Sequence, residues 1–116
     1  MILILLVLSL FTSPVSALGE EAQVYNVTIP ANLFKFDPDR LTIRAGDTVR
    51  WYNKDERKHV LASVPGSGLS DELEIFSEDD LRSGGSYTHT FKQPGEYPYF
   101  CFIHNKMTGV IIVTGK

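Results

Sequence analysis

The chain has 116 residues with one cysteine and three histidines; 43% of its residues are hydrophobic, 22% are charged, and the formal net charge is -3. That length gives room for one domain around one core, and this balance excludes a chain that is disordered throughout. The negative surface repels phosphate, which argues against nucleic acid as a partner.

Residues Met1 to Leu10 are almost wholly apolar, and no charged side chain precedes Glu20. The run is too short to span a bilayer comfortably. Val15, Ser16 and Ala17 then supply the small residues of a cleavage site, so residues 1–17 read as a secretory signal peptide and 18–116 as the mature domain. The n-region lacks Lys and Arg, its only positive charge being the amino group of Met1. The expected location is periplasmic or otherwise extracytoplasmic, with membrane association if the segment stays uncleaved. Export places the single Cys101 in oxidising surroundings without an intramolecular partner, the setting of a reactive thiol, an intermolecular disulfide or a metal ligand.

The mature chain reads as short strands separated by turn signals. Gln23 to Ile29 is rich in β-branched and aromatic residues and stops at Pro30. Leu41 to Arg44 ends at the turn Ala45, Gly46 and Asp47, and Thr48 to Asn53 puts Val49 and Trp51 on one face. His59 to Val64 is mostly apolar, Ser86 to Phe91 alternates, Glu96 to Phe102 is aromatic-rich, and Gly109 to Thr114 is an apolar β-branched run. This pattern predicts an all-β, single-domain antiparallel sandwich or barrel. Asp71, Glu72, Glu74, Glu78, Asp79 and Asp80 break it, interleaved with Leu73, Ile75, Phe76 and Leu81. They read as a solvated acidic excursion pinned by apolar anchors, with docking of a basic partner as the sharper alternative.

The chemistry concentrates between Cys101 and Met107, where His104 stands between the two sulfur residues. A thiolate, an imidazole and a thioether are soft or borderline donors, and together they suit copper better than the oxygen-seeking magnesium, calcium or manganese. A trigonal blue-copper site needs a second imidazole, for which His59 and His89 are the candidates. Alternation sets His89 on the face of Tyr87 and Phe91, as a packed sheet histidine. Tyr97 and Tyr99 share the Cys101 face and are expected to pack beneath the site.

Taken together, the residues resemble the cupredoxin family in its plastocyanin and amicyanin branch, over most of the mature chain. The resemblance runs from Ala45-Gly46-Asp47-Thr48-Val49 through Trp51, Asn53 and His59. It continues in Phe91, Pro94-Gly95-Glu96-Tyr97, Tyr99 and Cys101, and ends in Met107-Thr108-Gly109. The two-residue gap between His104 and Met107 is closer to amicyanin than to plant plastocyanin. The resemblance implies a Greek-key β-sandwich with one type 1 copper ion at one end. Its ligands would be His59, Cys101, His104 and, as the weak axial donor, Met107. The implied activity is one-electron transport between protein donor and acceptor by a monomer, with no substrate turned over. Copper handling without a redox cycle is the alternative. Binding requires a deprotonated Cys101 and neutral histidines, so copper affinity should fall in acid. Three positions depart from the family: Val60 stands where Asn or Thr often ties the ligand loops together, and Phe102 and Ile103 replace Thr or Ser and Pro.

Overall fold

Alternating apolar and polar side chains become seven strands in a computed structural model that describes residues 21–65 and 81–115. The segments read as signal peptide and acidic excursion lie outside those residues, apart from Leu81, which is fully buried. The strands are β1 (Val24–Ile29), β2 (Arg40–Arg44), β3 (Thr48–Asn53), β4 (Leu61–Ser63), β5 (Ser86–Thr90), β6 (Gly95–Cys101) and β7 (His104–Thr114). They form two sheets, ordered β1-β3-β5 and β2-β7-β6-β4. The described residues contain no helix long and apolar enough to cross a membrane.

The all-β sandwich is as expected, but the pairing is mixed. β3–β5, β4–β6 and β6–β7 are antiparallel, whereas β1–β3 and β2–β7 are parallel. Parallel partners need a crossover connection. Here β1 reaches β3 by way of β2, which belongs to the opposite sheet.

β3 sets the pattern of the interior: Val49, Trp51 and Asn53 point inward and the residues between them are half-buried. β6 answers with Tyr97, Tyr99 and Cys101 on its inner face. Ring contacts knit the two sheets, with Trp51 meeting Tyr99 edge-on at 5.4 Å between centroids and Phe36 meeting Tyr99 at 4.9 Å. Offset and edge-to-face pairs of this kind add about 0.5–1.5 kcal/mol each beyond area burial. Tyr97 and Tyr99 therefore lie under Cys101 as expected. His89 sits in β5 opposite Val49, its ring 4.6 Å from that of Phe91.

Two strand starts differ from the sequence reading by more than one residue, and both matter for the site. β4 begins at Leu61, leaving His59 and Val60 in the preceding loop. β7 begins at His104 rather than Gly109, because Cys101 pairs directly with His104. Phe102 and Ile103 are thus a two-residue turn. Between Phe100↔Thr108 and Cys101↔His104 the register slips, so Asn105, Lys106 and Met107 bulge from β7. Bulges re-aim side chains at the ends of sheets, and this one leaves Asn105 and Lys106 exposed while Met107 is buried.

Candidate metal centre

Cys101 is the last residue of β6, and its inward orientation follows from strand alternation. The tight turn after it returns His104 to the same end of the sheet. His59 arrives from the other connection, between β3 and β4. Its Nδ1 lies 3.7 Å from Cys101 Sγ, His104 Nδ1 lies 3.7 Å from the same sulfur, and the two nitrogens are 3.2 Å apart. An ion with bonds of about 2.0 Å to nitrogen and about 2.3 Å to sulfur spans edges of these lengths at near-trigonal angles. His59 and Cys101 are fully buried and His104 is half-buried. Met107 is buried and lines the same surface depression as His104. One thiolate, two imidazole nitrogens and a thioether are the donor set of type 1 copper. His89 takes no part in this cluster.

The His59 loop is held by Asn53, which the resemblance included without a role, and by Asp55, which sequence reasoning did not single out. Asn53, buried at the end of β3, donates through Nδ2 to the carbonyls of Arg57 (2.7 Å) and Leu81 (2.8 Å), and its Oδ1 accepts from the Asp55 amide (2.8 Å). The His59 amide donates to the same Leu81 carbonyl at 3.0 Å. Asp55 is completely buried, and its Oδ2 accepts a 2.9 Å bond from His59 Nε2. A carboxylate only accepts, so Nε2 carries a proton in either charge state of the ring, and in the neutral ring Nδ1 is the bare nitrogen on the side of Cys101 and His104. Asp55 Oδ1 also accepts from the amides of Asn32 (3.1 Å) and Glu56 (3.0 Å) and from Arg57 (3.1 Å). Burial alone would raise the Asp55 pKa. The bonds from His59, Asn32 and Glu56, with the Arg57 charge, outweigh it and bring the carboxyl down to about 2.

Cys101 shows the same contest. Burial pushes the thiol up, but His59, the Val60 and Ile103 amides and His104 together lower it to about 6. Burial likewise disfavours a charged His59, yet its bonds to Cys101 and Asp55 leave its pKa raised overall. The metal-free protein is therefore expected to form a thiolate at unusually low pH. Titrating the thiolate absorbance near 240 nm should give a midpoint near 6, against about 8.5 for an ordinary cysteine. A midpoint above 8 would show that the imidazoles and amides do not stabilise the anion.

The valine that replaces a side-chain tether at position 60 leaves no gap, because the main chain makes the links. Its amide donates to Cys101 Sγ at 3.4 Å, and its carbonyl accepts from the Phe102 amide at 2.7 Å.

Above the imidazoles runs the loop from Pro30 to Phe36. Paired bonds between Thr28 and Asp37, both 2.8 Å, close its base, and the buried Phe36 anchors it. Asn32 and Phe34 have φ of 62° and 49°. Asparagine visits this left-handed region readily, whereas for a bulky aromatic it is an outlier costing about 1–3 kcal/mol. The Phe34 ring stands edge-on to His104, 5.1 Å between centroids, and 6.5 Å from His59.

A two-sheet β-sandwich with a sulfur and two imidazole nitrogens converging at one end defines a mononuclear metal-binding sandwich protein. The family model described as Cupredoxin-like domain matches residues 1–113, and the chain belongs to that family. A chloroplastic plastocyanin of Tetradesmus obliquus is 36% identical over 107 residues, covering 84% of this chain and 72% of the relative. Amicyanin-alpha of Methylorubrum extorquens is 30% identical over 94 residues, covering 81% and 76%. Among solved structures, a purple cupredoxin from Nitrosopumilus maritimus superposes with a TM-score of 0.65 at 26% identity, covering 78% of this chain and 99% of the other.

Proposed function

We propose that this protein is an exported mononuclear blue-copper protein that carries single electrons between a donor protein and an acceptor protein. Residues 1–17 would be its signal peptide and 18–116 its mature domain. His59, Cys101, His104 and Met107 would hold the copper. The observation that carries this reading is the near-equilateral triangle of Cys101 Sγ and two imidazole Nδ1 atoms, with Met107 buried beside it.

When bound, the metal supplies a one-electron couple between Cu(II) and Cu(I). The chain's own residues do the rest. Asp55 fixes the His59 tautomer, the Val60 amide steadies the thiolate, and the buried aromatic floor of Trp51, Tyr97 and Tyr99 keeps water from the inner side. His104 is the ligand nearest solvent, and the exposed Phe102 and Ile103 flank it. Exposed apolar side chains gathered around a partly open ligand suit transient docking with a redox partner. This role makes the protein a carrier rather than an enzyme.

The test is a visible spectrum of the purified mature domain after addition of Cu(II), beside Cys101→Ser. The expected result is an intense band that bleaches on reduction, returns on oxidation and is absent in the serine variant. Copper bound without such a band would overturn the electron-carrier reading in favour of metal handling.

A further inference from the structure

We propose that the loop from Pro30 to Phe36 is a cap on the imidazole pair, with Phe34 as the positioning residue that shields the outer edge of His104 and retains the copper. This rests on the blue-copper reading above.

Phe34 is 43% exposed, so burial of its own surface does not explain where it sits. It is nevertheless held in a backbone conformation that aromatic residues avoid, and such strain persists only where the surroundings enforce it. The enforcing group is Arg57. Its guanidinium lies 4.9 Å from the centre of the Phe34 ring, within cation–π range. The same Nη1 donates to Asn32 Oδ1 at 3.1 Å and to Asp55 Oδ1 at 3.1 Å. Asp55 in turn holds His59 and accepts from the Asn32 amide. The loop, the clamp and a ligand histidine thus form one connected unit. Its base is closed by the Thr28–Asp37 bridge, so the ring is placed by two rigid ends and one ionic clamp.

The physical consequence concerns the outward side of the site. His104 is the half-buried ligand, and the depression beside it is lined by Phe34, Ile103, His104, Asn105, Lys106 and Met107. An apolar ring against the imidazole edge keeps water and competing ligands off His104 and lowers the local dielectric. That environment favours the less charged Cu(I) state over Cu(II) and obstructs the route by which the ion leaves. Neighbouring Leu33 is more exposed still, at 59%. It serves as the control for a merely sticky surface.

The experiment compares the copper-loaded wild type with Phe34→Ala, Phe34→Tyr, Arg57→Gln and Leu33→Ala. Release of reduced copper to a Cu(I) chelator and the midpoint of a redox titration are measured. Removing the ring is expected to speed release on the order of tenfold, equivalent to ~1.4 kcal/mol, and to lower the midpoint. Phe34→Tyr should restore both, Arg57→Gln should fall between, and Leu33→Ala should match the wild type. In the metal-free protein, the proton NMR signal of the His104 ring should lose its aromatic ring-current shift in Phe34→Ala. Release and midpoint unchanged in Phe34→Ala, or changed equally in Leu33→Ala, would overturn the cap. A wild type without a blue band would instead remove the copper reading, which the NMR comparison does not depend on.

Discussion

Asp55→Asn is expected to lower copper affinity by about 10- to 100-fold, the usual effect of losing the partner that orients a ligand histidine, while the protein remains folded. The asparagine Oδ1 can still accept from the Asn32 and Glu56 amides and from Arg57, as the carboxylate does. Its amide nitrogen, however, replaces the oxygen that faces His59 Nε2 at 2.9 Å. Two donors cannot share that contact, so the imidazole proton moves to Nδ1, the atom turned towards Cys101 and His104. A protonated nitrogen has no lone pair for a metal. Asp55→Ala should be worse in a different way. It leaves buried donors without an acceptor and should remove about 3 kcal/mol of stability from the metal-free protein. Competition with a copper chelator and urea unfolding separate the two effects. Asparagine binding copper as tightly as aspartate would sink the tautomer argument.

The same carboxylate gives an acid-side signature. Its folded pKa of about 2 lies below the ordinary 3.8, so the folded state prefers the ionised form. The stabilisation is fully present above pH 3.8 and is lost as pH falls through about 2. A difference of that size corresponds to ~2 kcal/mol. The wild type should shed it across this window, and Asp55→Asn should not.

Gly109→Ala should destabilise the protein by about 3 kcal/mol, the upper end for overpacking a filled interior. Gly109 faces Tyr99 across the β6–β7 ladder. A Cβ there would stand 2.5 Å from both Cζ and the hydroxyl oxygen of Tyr99 and 2.9 Å from Cε1. The ring has no room to retreat, because Phe36 and Trp51 both pack on it edge-on. A drop in Tm of roughly 12–24 °C follows from about 4–8 °C per kcal/mol for a domain of this size, measurable by circular dichroism. A Tm within a degree of wild type would show that Tyr99 moves aside freely.

Much of this was legible in the sequence where period and punctuation agree. β3 runs from Thr48 to Asn53 as the alternation predicts, with the turn Ala45, Gly46 and Asp47 marking its start. Cys101, His104 and Met107 stood out because three soft or borderline donors share one short segment; the structure gathers Cys101 and His104 with His59 and buries Met107 at the depression beside His104. Other features were hidden. Asp55 is one charge among several between Lys54 and Lys58, and nothing local announces that its carboxylate will be buried. Phe34 was not singled out, since the rings it meets, His59 and His104, are distant in sequence. The start of β7 was missed because the bulge at Asn105 to Met107 interrupts the period of two. The parallel pairs were missed because a strand's pattern records its faces and not its neighbours.

The links at Val60 bear on how such a site is inherited. Both ties between the ligand loops come from its amide and carbonyl, groups that every residue except proline carries. Descendants of this chain could therefore drift among apolar residues at position 60 without unpicking the connection. A comparison that scores the position by its side chain would count a missing tether where the wiring is complete.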